Sequence, residues 1–165
     1  MAVEVALTQP ELAESLLLIG PGGSLFAEVT PELQVFFDAE RSALARDDVA
    51  AAVGANLTAW VDGPRRAATD VDPTVRDLVG QMQRRAFDLT LDWDDVEEDD
   101  LHPPALERLA EVRACTLVLV GGLDLDAILD TARLVTDAIP VARRIDWPDV
   151  AHLGRWSDPT TSSSC

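Results

Sequence analysis

Between Val112 and Val120 the chain becomes apolar without alternating, and it ends in the run Thr116, Leu117, Val118, Leu119, Val120. An unalternating β-branched run predicts a strand buried on both faces of a parallel sheet. Gly121 and Gly122 break it. A segment of helical period follows from about Ala127 to Ala138, and then a second short strand from Ala142 to Trp147. The N-terminus has a related pattern: a helix over about Met1 to Leu7, then an apolar strand from Ser15 to Ile19 that runs into the turn Gly20-Pro21-Gly22.

Residues 25–105 read differently, as helices with no convincing strand. Thr30-Pro31-Glu32 is an N-cap followed by proline at the first helical position. Leu33, Phe36, Phe37 and Leu44 then fall at helical spacing. A second helix is predicted over about Asp47 to Trp60, with Val49, Val53, Leu57 and Trp60 on one face. A third begins near Asp72-Pro73-Thr74 and carries Val75, Leu78, Val79, Met82 and Phe87. Apolar stripes of this kind more often mark core than ligand contacts.

The organisation that follows is α/β: a short parallel sheet of about three strands, built from residues 1–24 and 106–156. A helical insertion, residues 25–105, separates its parts, and residues 157–165 form a disordered tail. Parallel strands need crossovers, and each pair here is separated by helix. One sheet edge is left unpaired and apolar, which invites self-association.

The length of 165 residues suits one domain, and 47% hydrophobic residues are enough for a core. Thirty acidic against 13 basic residues give a net charge of −17. That balance argues against nucleic acid and against anionic membrane surfaces as partners. No apolar run approaches the roughly 18 residues of a membrane span, and no signal-type segment opens the chain. The expected compartment is cytoplasmic. Cys115, inside an apolar strand, is expected to be a buried thiol, and Cys165 ends the polar tail.

Candidate chemistry gathers at the ends of the two late strands. Asp124 and Asp126 follow the Gly121-Gly122 break, and His152 follows the strand ending at Trp147. A carboxylate and an imidazole at the C-terminal ends of neighbouring strands make a general-base pair. Either aspartate could be a turn residue or helix cap, and Asp126, just before the helix, is the better placed for capping. Two other features carry less. Residues 92–100, DWDDVEEDD, hold seven carboxylates but lack the glycine and glutamate spacing of a calcium loop. His102 beside them has no partner at metal-ligand spacing. Gly20-Pro21-Gly22-Gly23-Ser24 lacks the lysine of a phosphate loop and reads as a hinge. No metal and no cofactor are expected.

The stretches Thr116-Leu-Val-Leu-Val-Gly121-Gly-Leu-Asp124 and Asp149-Val-Ala-His152-Leu resemble the late strand and closing turn of the α/β-hydrolase family. Residues 1–22 resemble the segment that follows that family's nucleophile elbow. The resemblance spans nearly all of residues 1–156 and implies a partial α/β-hydrolase fold. It makes Asp124 the triad acid, three residues past the strand-ending glycine, and His152 the general base. The family order is nucleophile, acid, histidine, yet no G-x-S-x-G occurs anywhere in the chain. The insertion then corresponds to the cap, whose helices face the site, so Trp60, Met82 and Phe87 become candidate substrate contacts. The implied activity is hydrolysis of an ester, amide or related carbon–heteroatom bond. The isolated chain is expected to be truncated and inert, with a small-molecule substrate only once a front half completes it. The alternatives are a non-catalytic fragment or a subunit that complements a separate front half.

Overall fold

The computed structural model describes residues 2–90 and 101–152. Three parallel strands, β1 (Ser15–Ile19), β2 (Cys115–Gly121) and β3 (Ala142–Trp147), lie in that spatial order. β1 pairs with β2 from Ser15 opposite Cys115 to Ile19 opposite Leu119, and β2 pairs with β3 from Thr116 opposite Ala142 to Gly121 opposite Trp147. α1 (Ala2–Thr8) precedes the sheet. α2 (Pro31–Leu44), α3 (Val49–Asn56) and α4 (Pro73–Thr90) form the helical insertion, and α5 (Asp126–Ala138) crosses over from β2 to β3.

The insertion helices start where the sequence supplies an acceptor for their orphan N–H groups. Thr30 Oγ1 accepts from the Leu33 N–H at 3.4 Å, Asp48 from Ala51 at 3.0 Å, and Asp72 from Thr74 at 2.8 Å. The second helix differs from expectation at both ends. Asp47 takes a left-handed φ of 54°, so Asp48 is the cap. Past Asn56 the helix widens into a π turn over Leu57–Asp62, with the Gly63 N–H donating to the Thr58 carbonyl at 3.1 Å. One extra residue in that turn rotates Trp60 away from the face a continuous α-helix would give it.

Side chains alternate across the strands, and only one face is closed. Leu16, Leu18, Val118 and Val120 are buried in one cluster with Val3 and Ala6 of α1 and with Ala127, Ile128, Ala132 and Val135 of α5. Leu33 and Phe36 of α2 join the same cluster, so the insertion and the sheet share a core. A smaller cluster of Val53, Leu57 and Val61 joins α3 to α4 through Val79 and Phe87. There Asp62, itself buried, grips Arg76 of α4 through two bonds of 3.0 and 3.2 Å. This hydrogen-bonded carboxylate raises the Arg76 pKa above its ordinary value, against the opposing effect of desolvation.

The opposite face corrects the expectation of a strand buried on both sides. Leu17 is 57% exposed and Ile19 58%, Ile145 and Trp147 are also exposed, and Leu117 and Leu119 are half-buried. Here the described helices cover one side of a strand whose composition suits two. Cys115, expected to be buried, is exposed, because it begins β2 on the open side. No helix among the described residues is long and apolar enough to cross a membrane. The tail 157–165 lies outside the described residues.

The shared core makes a stability prediction. Leu33 is 0% exposed whereas Val35, on the same helix, is 70% exposed. Leu33→Ala should cost about 2–5 kcal/mol and Val35→Ala within about 0.5 kcal/mol, compared by urea denaturation midpoints. Equal shifts for the two variants would show that α2 does not anchor the insertion in the sheet core.

Candidate active site

The turns after β2 and β3 meet at Gly121. A Cβ there would lie 2.3 Å from the carbonyl oxygens of both Val150 and Ala151, so only glycine admits the approach. Two backbone bonds staple the turns together: Gly122 N–H to the Trp147 carbonyl at 2.7 Å and Leu123 N–H to the Val150 carbonyl at 2.9 Å. The next residue, Asp124, is fully buried. Its Oδ1 accepts from the Leu125 N–H at 2.8 Å, and its Oδ2 lies 2.9 Å from His152 Nδ1. A carboxylate can only accept, so Nδ1 carries a proton, and in the neutral imidazole it is Nε2 that holds the lone pair. The imidazole also lies against Gly20, whose φ is 54°; a Cβ at Gly20 would come 2.6 Å from His152 Cε1.

Asp126 takes a separate role. It opens α5, its Oδ1 accepting the Ala127 N–H at 2.7 Å and the Thr30 hydroxyl of the insertion. Glu32 accepts the Asp126 N–H at 3.0 Å and pairs with Arg65 at 3.4 Å, while Arg65 also donates to the Asp124 carbonyl. The root of the insertion is thus tied to the acid turn. Sequence reasoning missed Glu32 and Arg65. Their partners are far along the chain, so no local spacing signals them.

Beside His152 opens a cavity of about 560 Å³ whose walls include Trp60, Val75, Leu78, Met82 and Asn56. Its size and apolar lining suit a small organic ligand. The Trp60 ring is 4.8 Å from the imidazole and packs edge-on against Phe36 at 5.1 Å. Met82 stands in the wall, whereas Phe87 packs into the Val53 cluster instead. Asn56 had not been singled out from sequence, because one asparagine inside an apolar stripe has no distinctive pattern.

The described serines lie elsewhere in the fold. Ser15 begins β1, Ser24 donates to Glu4 at 3.3 Å, and Ser42 on α2 accepts from Arg46 at 2.6 Å. Among the described residues no three His, Cys, Asp or Glu side chains converge as a metal would require. The acidic run 92–100 lies outside the described residues. Chemically, a half-buried imidazole whose Nε2 has no partner among the described residues, fixed by a buried carboxylate at an apolar cavity, can take a proton from a hydroxyl or water when neutral.

No family model matches the chain, and no curated protein matches it. Solved structures do. An α/β-hydrolase enzyme from a Medee basin deep-sea metagenome library superposes with a TM-score of 0.62 at 14% identity, over 92% of this chain and 54% of that one. An N-acyl homoserine lactone degrading enzyme gives 0.60 at 21% identity, over 92% and 56%. MenH from S. aureus gives 0.57 at 16%, over 93% and 56%. The chain has the α/β-hydrolase fold. It spans a little over half the length of these α/β-hydrolase structures.

The geometry makes a spectroscopic prediction. The Nδ1 proton of His152 should give a low-field proton resonance, protected from exchange by the buried carboxylate. Asp124→Asn should shift or abolish it, and so should Gly20→Val, which displaces the ring. If the signal is unchanged in Asp124→Asn, the contact between the two side chains is not formed in solution.

Proposed function

We propose that this chain supplies the acid–base half of an α/β-hydrolase acting on an ester, amide or related carbon–heteroatom bond. Asp124 holds the tautomer of His152 and stabilises the imidazolium, and Nε2 acts as general base toward the nucleophile. The observation that carries the reading is the 2.9 Å contact between buried Asp124 and His152 at the mouth of an apolar cavity. Trp60 and Met82 take part in holding the substrate, and Phe87 backs the cavity wall from behind. The nucleophile and the oxyanion donors come from a front half, as the family's chain order implies.

A second reading, that the chain complements a separate front-half subunit, draws support from the sheet. Both the outer edge of β1 and the face bearing Leu17 and Ile19 are open. An apolar edge strand of this kind pairs readily with another chain. The same surface would support self-association when no front half is present. Size-exclusion of the purified chain should therefore show oligomers, and a monodisperse monomer would count against an adhesive sheet.

On its own the chain should not hydrolyse p-nitrophenyl esters above background, since loss of a triad nucleophile costs about 10⁶-fold in rate. Fusion of a family front half carrying the elbow serine should restore turnover. In the fusion His152→Ala should remove it, and Asp124→Asn should lower it by about 10⁴-fold. Hydrolysis by the unfused chain that disappears with His152→Ala would reveal a different nucleophile and overturn the proposal.

A further inference from the structure

The cavity beside His152 is apolar over most of its wall, and apart from His152 and Gln83 it contains a polar group held in a defined orientation. Asn56 is 9% exposed, sits where α3 passes into the π turn, and lines the cavity. Its Nδ2 donates twice, to the Glu40 carboxylate of α2 at 2.5 Å and to the Ala52 carbonyl at 3.0 Å. Both partners are pure acceptors, so the amide cannot be reversed without facing oxygen to oxygen. The Oδ1 atom is left with no hydrogen bond among the described residues. It is not sealed from solvent either, since no buried side-chain oxygen or nitrogen among them lacks a partner. An acceptor oriented by two bonds, in a wall that includes Trp60, Val75, Leu78 and Met82 beside the Gln83 amide and His152, discriminates between ligands with and without a donor.

Resting on the hydrolase reading above, we propose that Asn56 is a specificity-determining residue whose Oδ1 receives an N–H or O–H from the substrate. The substrate class is then a neutral carbonyl compound with an apolar arm and a hydrogen-bond donor close to its carbonyl, a secondary amide being the simplest case. Glu40 acts through Asn56 as a positioning residue: it holds the amide nitrogen so that the oxygen faces outward. Among the described residues no lysine or arginine lines the cavity. With the net charge of −17, that disfavours an anionic ligand.

The test uses the unfused chain, which binds without turnover, and two matched probes, N-propylhexanamide and propyl hexanoate. They differ chiefly in an N–H replaced by oxygen. Affinities are measured by calorimetry, with the change in tryptophan emission as a second readout. A cavity without an acceptor prefers the ester, because an amide N–H is costly to strip of water. The wild-type chain should instead bind the amide on the order of tenfold more tightly. Asn56→Leu should reverse the order while still binding the ester. Equal affinities in the wild type, or an amide preference that persists in Asn56→Leu, would overturn the role of Asn56 and leave the hydrolase reading standing. Failure of both probes to bind at millimolar concentration would overturn the ligand cavity itself, and with it both readings. The wild-type comparison decides the matter even if the variant does not fold.

Discussion

The meeting of two backbones at Gly121 is the constraint on which the rest of this site depends. Strands β2 and β3 bring their C-terminal ends side by side, but a pair of strand ends does not by itself join two side chains. The turns have to come closer than a Cβ permits, and the carbonyls of Val150 and Ala151 occupy the space a side chain at Gly121 would need. Once that contact is made, backbone bonds from Gly122 and Leu123 fix the turns relative to each other, and Asp124 and His152 face one another across the gap. The buried carboxylate is tolerable because each oxygen has a partner, one in the backbone and one in the imidazole.

A second set of ties reaches the same turn from the insertion. Thr30 and Glu32 hold the start of α5, and Arg65 bridges Glu32 to the Asp124 carbonyl. Trp60, on the π turn, reaches His152 from the other side. The root of the insertion and the Trp60 side of the cavity are therefore tied to the acid turn. By contrast α4, which has no buried residue, is held mainly by the Val53 cluster and the Asp62–Arg76 pair. That difference leaves α4 the less deeply buried wall of the cavity.

Much of this was legible in the residues. The glycine and proline punctuation placed all three strands within a residue of their observed limits, and Thr30-Pro31 marked the start of α2. The Thr116–Asp124 and Asp149–Leu153 stretches named the two side chains that the structure brings within 2.9 Å. What could not be read depends on distant pairing. The π turn that aims Trp60 has no composition signal, because Leu57–Asp62 satisfies an α-helical stripe equally well. Glu32 and Arg65 look like ordinary surface charges until the topology sets them against the acid turn. The open sheet face was hidden for the opposite reason: an apolar run reports which sides of a strand could be covered, not whether anything covers them.

The sheet also dictates an order of assembly. Ser15 pairs with Cys115, one hundred positions later, so joining β1 to β2 carries the entropy cost of closing a long loop unless the intervening chain is already compact. The insertion can begin without them, because α2, α3 and α4 are joined by short connections and α3 and α4 share their own Val53 cluster. The strand–helix–strand unit from β2 to β3 is likewise local. The pairing of β1 with β2 also places Gly20 against the imidazole. The site is therefore complete only when segments one hundred positions apart have met.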